Sequence, residues 1–321
     1  MSNADLQPGQ MICRQTPSPS FELACPHCRG HLDVNGESAH CQGCGREYFR
    51  QDGIWRFLLP SRAQQVEEFL GEYRLLRSVD GWGASNAKYY RDLPQVAAHD
   101  PQRAIWRIVA KNFRRLLDVL AEIKPGRILD MGAGNGWVSY QLTHRGYTVA
   151  ALDISDDVRD GLGASIYYEC AFDRYQAEFD RLPFRQAQFD VIIFSASLHY
   201  SNDLSATLRE AARALCPNGK IIIIASPVFK FQHSGAMLVT ERERKFKERF
   251  GFAPASPGKG FLTELEIKES AQTAQLSVNF SHSDDHWLKS LRRAWIQRKI
   301  GREPARFPLI VLQKFAGGTQ E

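Results

Sequence analysis

The sequence predicts an α/β protein with a mostly parallel sheet, preceded by a small metal-binding module near the amino terminus. Three observations support this prediction. Several short runs are apolar on both faces, a glycine-rich turn follows the first of them, and four cysteines stand in two close pairs. Such runs are typical of buried parallel strands. A chain of 321 residues has room for one large domain and a small one.

The glycine-rich turn spans residues 130–136 and reads Asp-Met-Gly-Ala-Gly-Asn-Gly, directly after the apolar run 127–129. Glycine lets a backbone turn tightly and approach a ligand, because it has no Cβ. The spacing G-x-G-x-G differs from the dinucleotide fingerprint G-x-G-x-x-G. The next apolar run, 147–152, ends in Asp153, where a carboxylate can accept both ribose hydroxyls of an adenosine.

Three later segments follow in a fixed order. Residues 178–184 read Glu-Phe-Asp-Arg-Leu-Pro-Phe, residues 189–194 form a buried-strand run that leads to Ser195, and residues 214–224 combine a helix end with another strand. The ordered set resembles the class I methyltransferases that use S-adenosylmethionine (SAM), over roughly residues 100–313. The resemblance implies a Rossmann-like fold with a mostly parallel seven-stranded sheet.

The same resemblance implies a set of SAM-binding residues. In its register Glu178 and the backbone N–H of Phe179 hold the adenine edge, with Asp180 as the competing acid. Many relatives carry Asp in place of this Glu. The implied cofactor residues are Asp130, Gly132, Ala133, Gly134, Gly136, Asp153, Ile154, Glu178, Phe179 and Ser195.

The amino-terminal cysteines are Cys25, Cys28, Cys41 and Cys44, two C-x₂-C pairs separated by twelve residues. Each pair can grip one ion from a tight turn, and four thiolates close a tetrahedral zinc site. Since the protein supplies all four ligands, the spacing predicts structural rather than catalytic zinc. The segment that carries these cysteines, residues 21–60, has too small a core to fold unaided, so the metal should supply much of its stability.

Residues 22–60 resemble a specific zinc ribbon, the small activator subunit that binds methyltransferases acting on tRNA, rRNA and release factors. The matching residues are the two cysteine pairs with their neighbours and the segment 52–60, Asp-Gly-Ile-Trp-Arg-Phe-Leu-Leu-Pro. The resemblance implies a scaffold, here fused to its catalytic domain, that covers apolar surface of that domain.

The expected organisation follows from these segments. Residues 1–20 are a flexible tail, 21–60 the zinc ribbon, 61–100 a helical connector or lid, 101–315 the methyltransferase domain and 316–321 a second tail. The first residues lack the apolar core of a signal peptide and no run approaches the length of a membrane span, so we expect a cytoplasmic protein without a membrane partner. The formal net charge of +5 permits an anionic partner without demanding one.

His199 and Tyr200 are the candidate catalytic residues, because they follow the strand expected to end nearest the transferred methyl group. Imidazole titrates near neutral pH and would suit a general base. The alternative is that these residues only shape the pocket. Trp82, Tyr89 and Tyr90 are candidate pocket walls, or else pack the domain junction.

The leading expectation for the acceptor is a small-molecule metabolite. The alternative is tRNA, rRNA or another component of the translation machinery, because a basic run near the carboxyl terminus could meet phosphate. A solvated helix face would explain that run equally well. A non-catalytic scaffold is a third reading, and the oligomeric state stays open. The run comprises Lys289, Arg292, Arg293, Arg298, Lys299, Arg302 and Arg306.

Overall fold

The structure is a computed structural model that describes residues 19–122, 126–252, 254, 258–281 and 287–315, without the side chains of 287–292. The predicted tails at 1–20 and 316–321 fall almost wholly outside the described residues. Ser20 is within them, and its backbone N–H donates to Asp173 Oδ2 at 2.7 Å.

The chain alternates strands and helices. The helices are α1 (Pro60–Val79), α2 (Ala87–Asp92), α3 (Arg103–Ala121), α4 (Trp137–Thr143), α5 (Leu204–Ala214), α6 (Gln232–Phe250), α7 (Glu264–Thr273) and α8 (Trp287–Ile300). The strands are β1 (Leu32–Asn35), β2 (Ser38–Cys41), β3 (Glu47–Gln51), β4 (Ile54–Arg56), β5 (Arg127–Met131), β6 (Thr148–Asp153), β7 (Asp173–Gln176), β8 (Phe189–Ser195), β9 (Leu215–Ile224), β10 (Val228–Phe229), β11 (Leu262–Thr263), β12 (Leu276–Ser281) and β13 (Leu309–Lys314).

Seven strands form the predicted Rossmann-like sheet, in the order β7-β6-β5-β8-β9-β13-β12. The first five are parallel, and β13 runs antiparallel to both of its neighbours. The central strands are apolar on both faces because helices cover both sides of the sheet. Ile192, Ile193 and Phe194 of β8 are fully buried. The predicted fold class is confirmed.

The amino-terminal strands continue this same sheet. The antiparallel strands β1 to β4 follow one another, and β4 pairs in parallel with β7, so the sheet has eleven strands in the described part of the chain. Trp55 stacks on Phe57, and Phe57 stacks on Tyr175 of β7. The cysteine-bearing module therefore shares one hydrophobic core with the larger domain.

The spacing of Ile105, Val109, Phe113, Leu116 and Leu120 predicts a helix, and α3 occupies this segment with its buried face rotated from that stripe. Ile105 is 44% exposed, whereas Trp106, expected off the stripe, is buried. The rings of Trp82 and Trp137 each lie 5.8 Å from that of Trp106 and explain the difference.

Helix α7 begins with a capping box of Thr263 and Glu266. None of the helices in the described part of the chain combines the length and apolar character needed to cross a bilayer.

Candidate functional site

A cavity of about 420 Å³ lies at the carboxyl ends of the parallel strands. In open α/β sheets this edge is where ligands bind. Six of the predicted cofactor residues and one predicted catalytic residue line it. They are Gly132, Gly134, Asp153, Ile154, Glu178, Phe179 and Tyr200.

Gly132 allows two strand ends to approach each other closely. Its φ is +76°, and a Cβ placed on it would lie 2.3 Å from Cβ of Ser197. Ser197 follows β8 and donates from Oγ to the carbonyl of Met131 at 2.5 Å. A side chain at position 132 would therefore separate the loop after β5 from the turn after β8.

Asp153 ends β6 and is held by the surrounding backbone. Its Oδ2 accepts the N–H of Gly134 at 2.8 Å, and its Oδ1 accepts the N–H of Ser155 at 2.8 Å. Burial raises the pKa of Asp153 to about 6, although the hydrogen bonds from the backbone act in the opposite direction. Each carboxylate oxygen can accept a further hydrogen bond.

Asp130 is fully buried beneath the glycine loop and does not line the cavity. Its Oδ2 accepts from Ser139 Oγ at 2.8 Å, whereas Oδ1 has no hydrogen-bond partner among the described residues. Burial raises the pKa of Asp130 to about 7. Three further predicted cofactor residues, Ala133, Gly136 and Ser195, also lie outside the cavity lining.

Glu178 and Phe179 line the cavity after β7, and so does the competing acid Asp180. Glu178 Oε1 receives two nitrogens of Arg62, Nε and Nη2, each at 3.0 Å. Arg62 belongs to the first turn of α1, so the connector reaches the candidate cofactor site directly.

Helix α1 lies in the segment predicted as a helical connector or lid, and it forms a wall of the cavity. Val66, Phe69, Leu70 and Tyr73 line it. Their helical spacing is visible in the sequence, but spacing alone does not show which surface a helix covers.

The aromatic residues expected as walls lie elsewhere. Tyr90 is fully buried and donates to the carbonyl of Arg159, and Trp82 stacks edge-on against Trp106. Neither these two nor Tyr89 line the cavity. They pack the junction, which was the alternative reading.

His199 does not line the cavity, contrary to the role expected for it. It is buried, its Nδ1 lies 3.5 Å from Ser226 Oγ, and burial lowers its pKa to about 3. Such an imidazole is a weak base, so the structure does not support His199 as the general base. Tyr200 does line the cavity, with its ring centroid 6.1 Å from that of Tyr73.

The cavity lining is strongly acidic. Among the described residues it contains one guanidinium, that of Arg62, and six carboxylates. The carboxylates are those of Glu68, Asp153, Asp160, Glu178, Asp180 and Asp203.

The four amino-terminal thiols converge in what we call the cysteine cluster, Cys25, Cys28, Cys41 and Cys44. All four Sγ atoms lie within 4.8 Å of one another, with Cys25–Cys44 at 3.7 Å and Cys28–Cys41 at 3.4 Å. Tetrahedral zinc with bonds of about 2.3 Å separates its sulfur ligands by about 3.8 Å. The cysteine cluster is therefore compatible with a zinc site. The resemblance of residues 22–60 to an activator subunit stays a prediction.

Residues 129–223 match a family model described as a methyltransferase domain. The chain contains a methyltransferase domain. The match begins in β5 and ends in β9, so it covers the glycine loop and the ends of β5, β6, β7 and β8, all of which contribute residues to the cavity lining.

Known proteins resemble parts of the chain. The biotin biosynthesis bifunctional protein BioHC of Cellvibrio japonicus is 33% identical over 128 residues, which are 40% of this chain and 24% of that protein. The 27-O-demethylrifamycin SV methyltransferase of Amycolatopsis mediterranei is 32% identical over 117 residues, 34% of this chain and 43% of that protein. The chain thus spans less than half the length of these two relatives.

A solved structure shares the fold of the methyltransferase domain. The geranyl diphosphate C-methyltransferase of Streptomyces coelicolor A3(2) superposes with a TM-score of 0.50 at 15% identity, over 80% of this chain and 98% of that one. At this identity the likeness concerns the fold alone.

Proposed function

We propose that this protein is a SAM-dependent methyltransferase that acts on a small molecule. The observation that carries the proposal is the cavity in which the glycine loop after β5 meets the carboxylate of Asp153. An adenosine placed there would find acceptors for its ribose hydroxyls at Asp153 and for its adenine amino group at Glu178.

The residues present suit this cofactor. Gly134 leaves open space where a side chain would stand, because a Cβ there would meet only the carbonyl of Asp160, at 3.9 Å. Phe179 adds an apolar face beside Gly132.

SAM supplies an electrophilic methyl group on a sulfonium. Methyl transfer from it is an in-line displacement, so positioning provides most of the rate enhancement. The side chains of Phe69, Tyr73 and Tyr200 line the cavity and limit the space beside the strand ends. Tyr73 is half-buried, and desolvation raises its pKa well above the usual range, so its hydroxyl donates hydrogen bonds rather than acting as a base.

The charge of the lining favours a neutral or cationic acceptor. Glu68, Asp180 and Asp203 would repel a phosphate or a carboxylate, and the guanidinium of Arg62 already contacts Glu178. Of the relatives named above, one is a biotin biosynthesis protein and the other a methyltransferase of 27-O-demethylrifamycin SV by name, and the second name agrees with a small-molecule acceptor.

The structure does not favour the alternative of an RNA substrate. Arg293 and Arg306 of the basic run pair with Glu303 at 3.6 and 3.2 Å, and Arg302 pairs with Glu241 at 3.0 Å. These three arginines already pair with carboxylates, and Arg302 thereby joins the segment after α8 to α6. Arg298 and Lys299 of the run are exposed. The side chains of Lys289 and Arg292 lie outside the described residues.

An incubation with methyl-labelled SAM distinguishes a small-molecule acceptor from an RNA acceptor. We expect label to enter a metabolite fraction and not total RNA, and we expect no RNA binding at low salt, where counterion release makes phosphate contacts strongest. Samples without enzyme supply the background. Methylated RNA, or an RNA affinity that falls steeply with salt, would contradict the small-molecule proposal.

We further propose that the cysteine cluster binds one structural zinc ion. The four thiolates close the coordination sphere, which leaves no position for a substrate. A reducing compartment such as the cytoplasm would keep these thiols available for the metal.

SAM binding should weaken as the pH falls through about 6. The carboxylate of Asp153 accepts from the ribose, and its pKa in the free protein is about 6, so protonation below this value removes the better acceptor. Calorimetry between pH 5 and 8 should show full affinity at the upper end. Asp153→Asn should bind about 1–3 kcal/mol more weakly at pH 8 and lose this pH dependence. An unchanged pH profile in the variant would assign the titration to another group.

A further inference from the structure

Among the ion pairs of the described residues, only that of Arg62 with Glu178 joins the first turn of α1 to the proposed adenine site. Its guanidinium places Nε and Nη2 on a single oxygen of Glu178, Oε1, at 3.0 Å each. Nη1 is turned the other way and donates to Gln65 within α1. The arrangement fixes one oxygen of the carboxylate and leaves Oε2 for another donor, because a carboxylate accepts several hydrogen bonds.

We infer that Arg62 is a positioning residue for nucleobase recognition, which orients Glu178 so that Oε2 accepts the adenine amino group. This inference rests on the proposed SAM site. It adds to that site a residue from outside the matched domain, since Arg62 lies well before residue 129.

The limited exposure of both side chains supports the inference. The Glu178 side chain is 11% exposed and that of Arg62 33% exposed, so the pair is partly shielded from water.

Arg62 is not needed to hold α1 in place, because the helix has other anchors. Arg74 pairs with Asp156 at 3.3 Å, Arg77 donates from Nη2 to Asp160 at 2.9 Å, and Asp80 pairs with Arg249 at 2.8 Å. Val66 and Leu70, two side chains of the same helix, are buried against the rest of the protein. Removing Arg62 should therefore change the orientation of Glu178 without releasing the helix.

The test compares two ligands that differ only at the base. S-adenosylhomocysteine offers an amino group at C6, and S-inosylhomocysteine offers a carbonyl oxygen there, which cannot donate to Glu178. We expect the full-length wild type to bind the adenosyl ligand about tenfold or more tightly than the inosyl ligand by calorimetry. Arg62→Gln should reduce this ratio to about one third or less, with Glu178→Asp behaving similarly.

Arg74→Gln is the matched control, because it removes an arginine of the same helix that does not line the cavity. Its ratio should equal that of the wild type. A ratio that Arg62→Gln leaves unchanged, with both ligands weakened alike, would show that Arg62 only supports the lid and would overturn the inference. A wild type that binds both ligands equally would overturn it as well. Failure of the wild type to bind either ligand would instead reject the proposed function.

Discussion

Replacing Cys41 by serine is expected to remove the zinc ion and to destabilise the whole chain. Cys41 is fully buried and its thiol lies 3.4 Å from that of Cys28, so the variant leaves three ligands around the metal. Structural zinc supplies about 10–16 kcal/mol of apparent binding free energy in small zinc-binding peptides, and this free energy is coupled to folding.

The loss of stability in Cys41→Ser should extend beyond the amino-terminal module. Cys25 and Cys41 belong to the same hydrophobic core as Leu129 and Ile192 of the central strands. Unfolding the module would expose the free edge of β7 and the aromatic side chains that cover it. We therefore expect a lower midpoint of thermal unfolding for the complete protein, and not a separate early transition alone.

Metal analysis and calorimetric unfolding check this prediction. The wild type should contain about one zinc per chain, and Cys41→Ser far less. Cys216→Ser is the control, because Cys216 lies outside the cysteine cluster and its replacement should leave the metal content unchanged. One zinc retained in the Cys41 variant would refute the ligand set.

Replacing Gly132 by alanine is expected to disrupt the cofactor site more than any other single methyl addition in the loop. The φ of +76° costs a non-glycine residue about 1–2 kcal/mol. The new Cβ would also lie 2.3 Å from Cβ of Ser197, and such overpacking costs roughly a further 1–3 kcal/mol. Together the free energy of unfolding should fall by about 2–5 kcal/mol.

Gly146→Ala separates the two causes. Gly146 also has a positive φ, of +90°, but a Cβ there would meet nothing within 4 Å. The free energy of unfolding of Gly146→Ala should fall only by the cost of the backbone conformation, about 1–2 kcal/mol. This variant should keep the SAM affinity of the wild type. Chemical denaturation and calorimetry with SAM measure both quantities. Equal losses of stability and binding in the two variants would contradict the close approach described here.

The sequence predicted the sheet well because its signals are local. Each central strand is a short run that is apolar on both faces, and each run ends in a residue with distinct chemistry. Gly132, Asp153 and Glu178 stand at or just after the ends of three different strands, and the parallel arrangement brings them to one cavity. An adenosine site of this kind can therefore be predicted from the order of these segments in the sequence.

The wall formed by α1 could not be predicted in the same way. The spacing of Val66, Phe69, Leu70 and Tyr73 identifies a helix with an apolar face. It does not show that this face closes the cavity, because that depends on where β4 joins the sheet. The parallel pairing of β4 with β7 is non-local and determines where α1 starts.

The position of His199 shows a second limit. A turn after a strand directs neighbouring side chains to different surroundings, and the sequence does not say which of them reaches the cavity. Ala196 adopts φ of +56° at this turn. Ser197 and Tyr200 then line the cavity while Leu198 and His199 are buried elsewhere.

The central claim is tested most directly by a crystal structure of the protein with S-adenosylhomocysteine. The nucleoside should lie above the glycine loop, with both ribose hydroxyls within hydrogen-bonding distance of the Asp153 carboxylate and the adenine beside Glu178 and Phe179. A ligand bound elsewhere, or a cavity closed by side chains of α1 so that no ligand enters, would contradict the account.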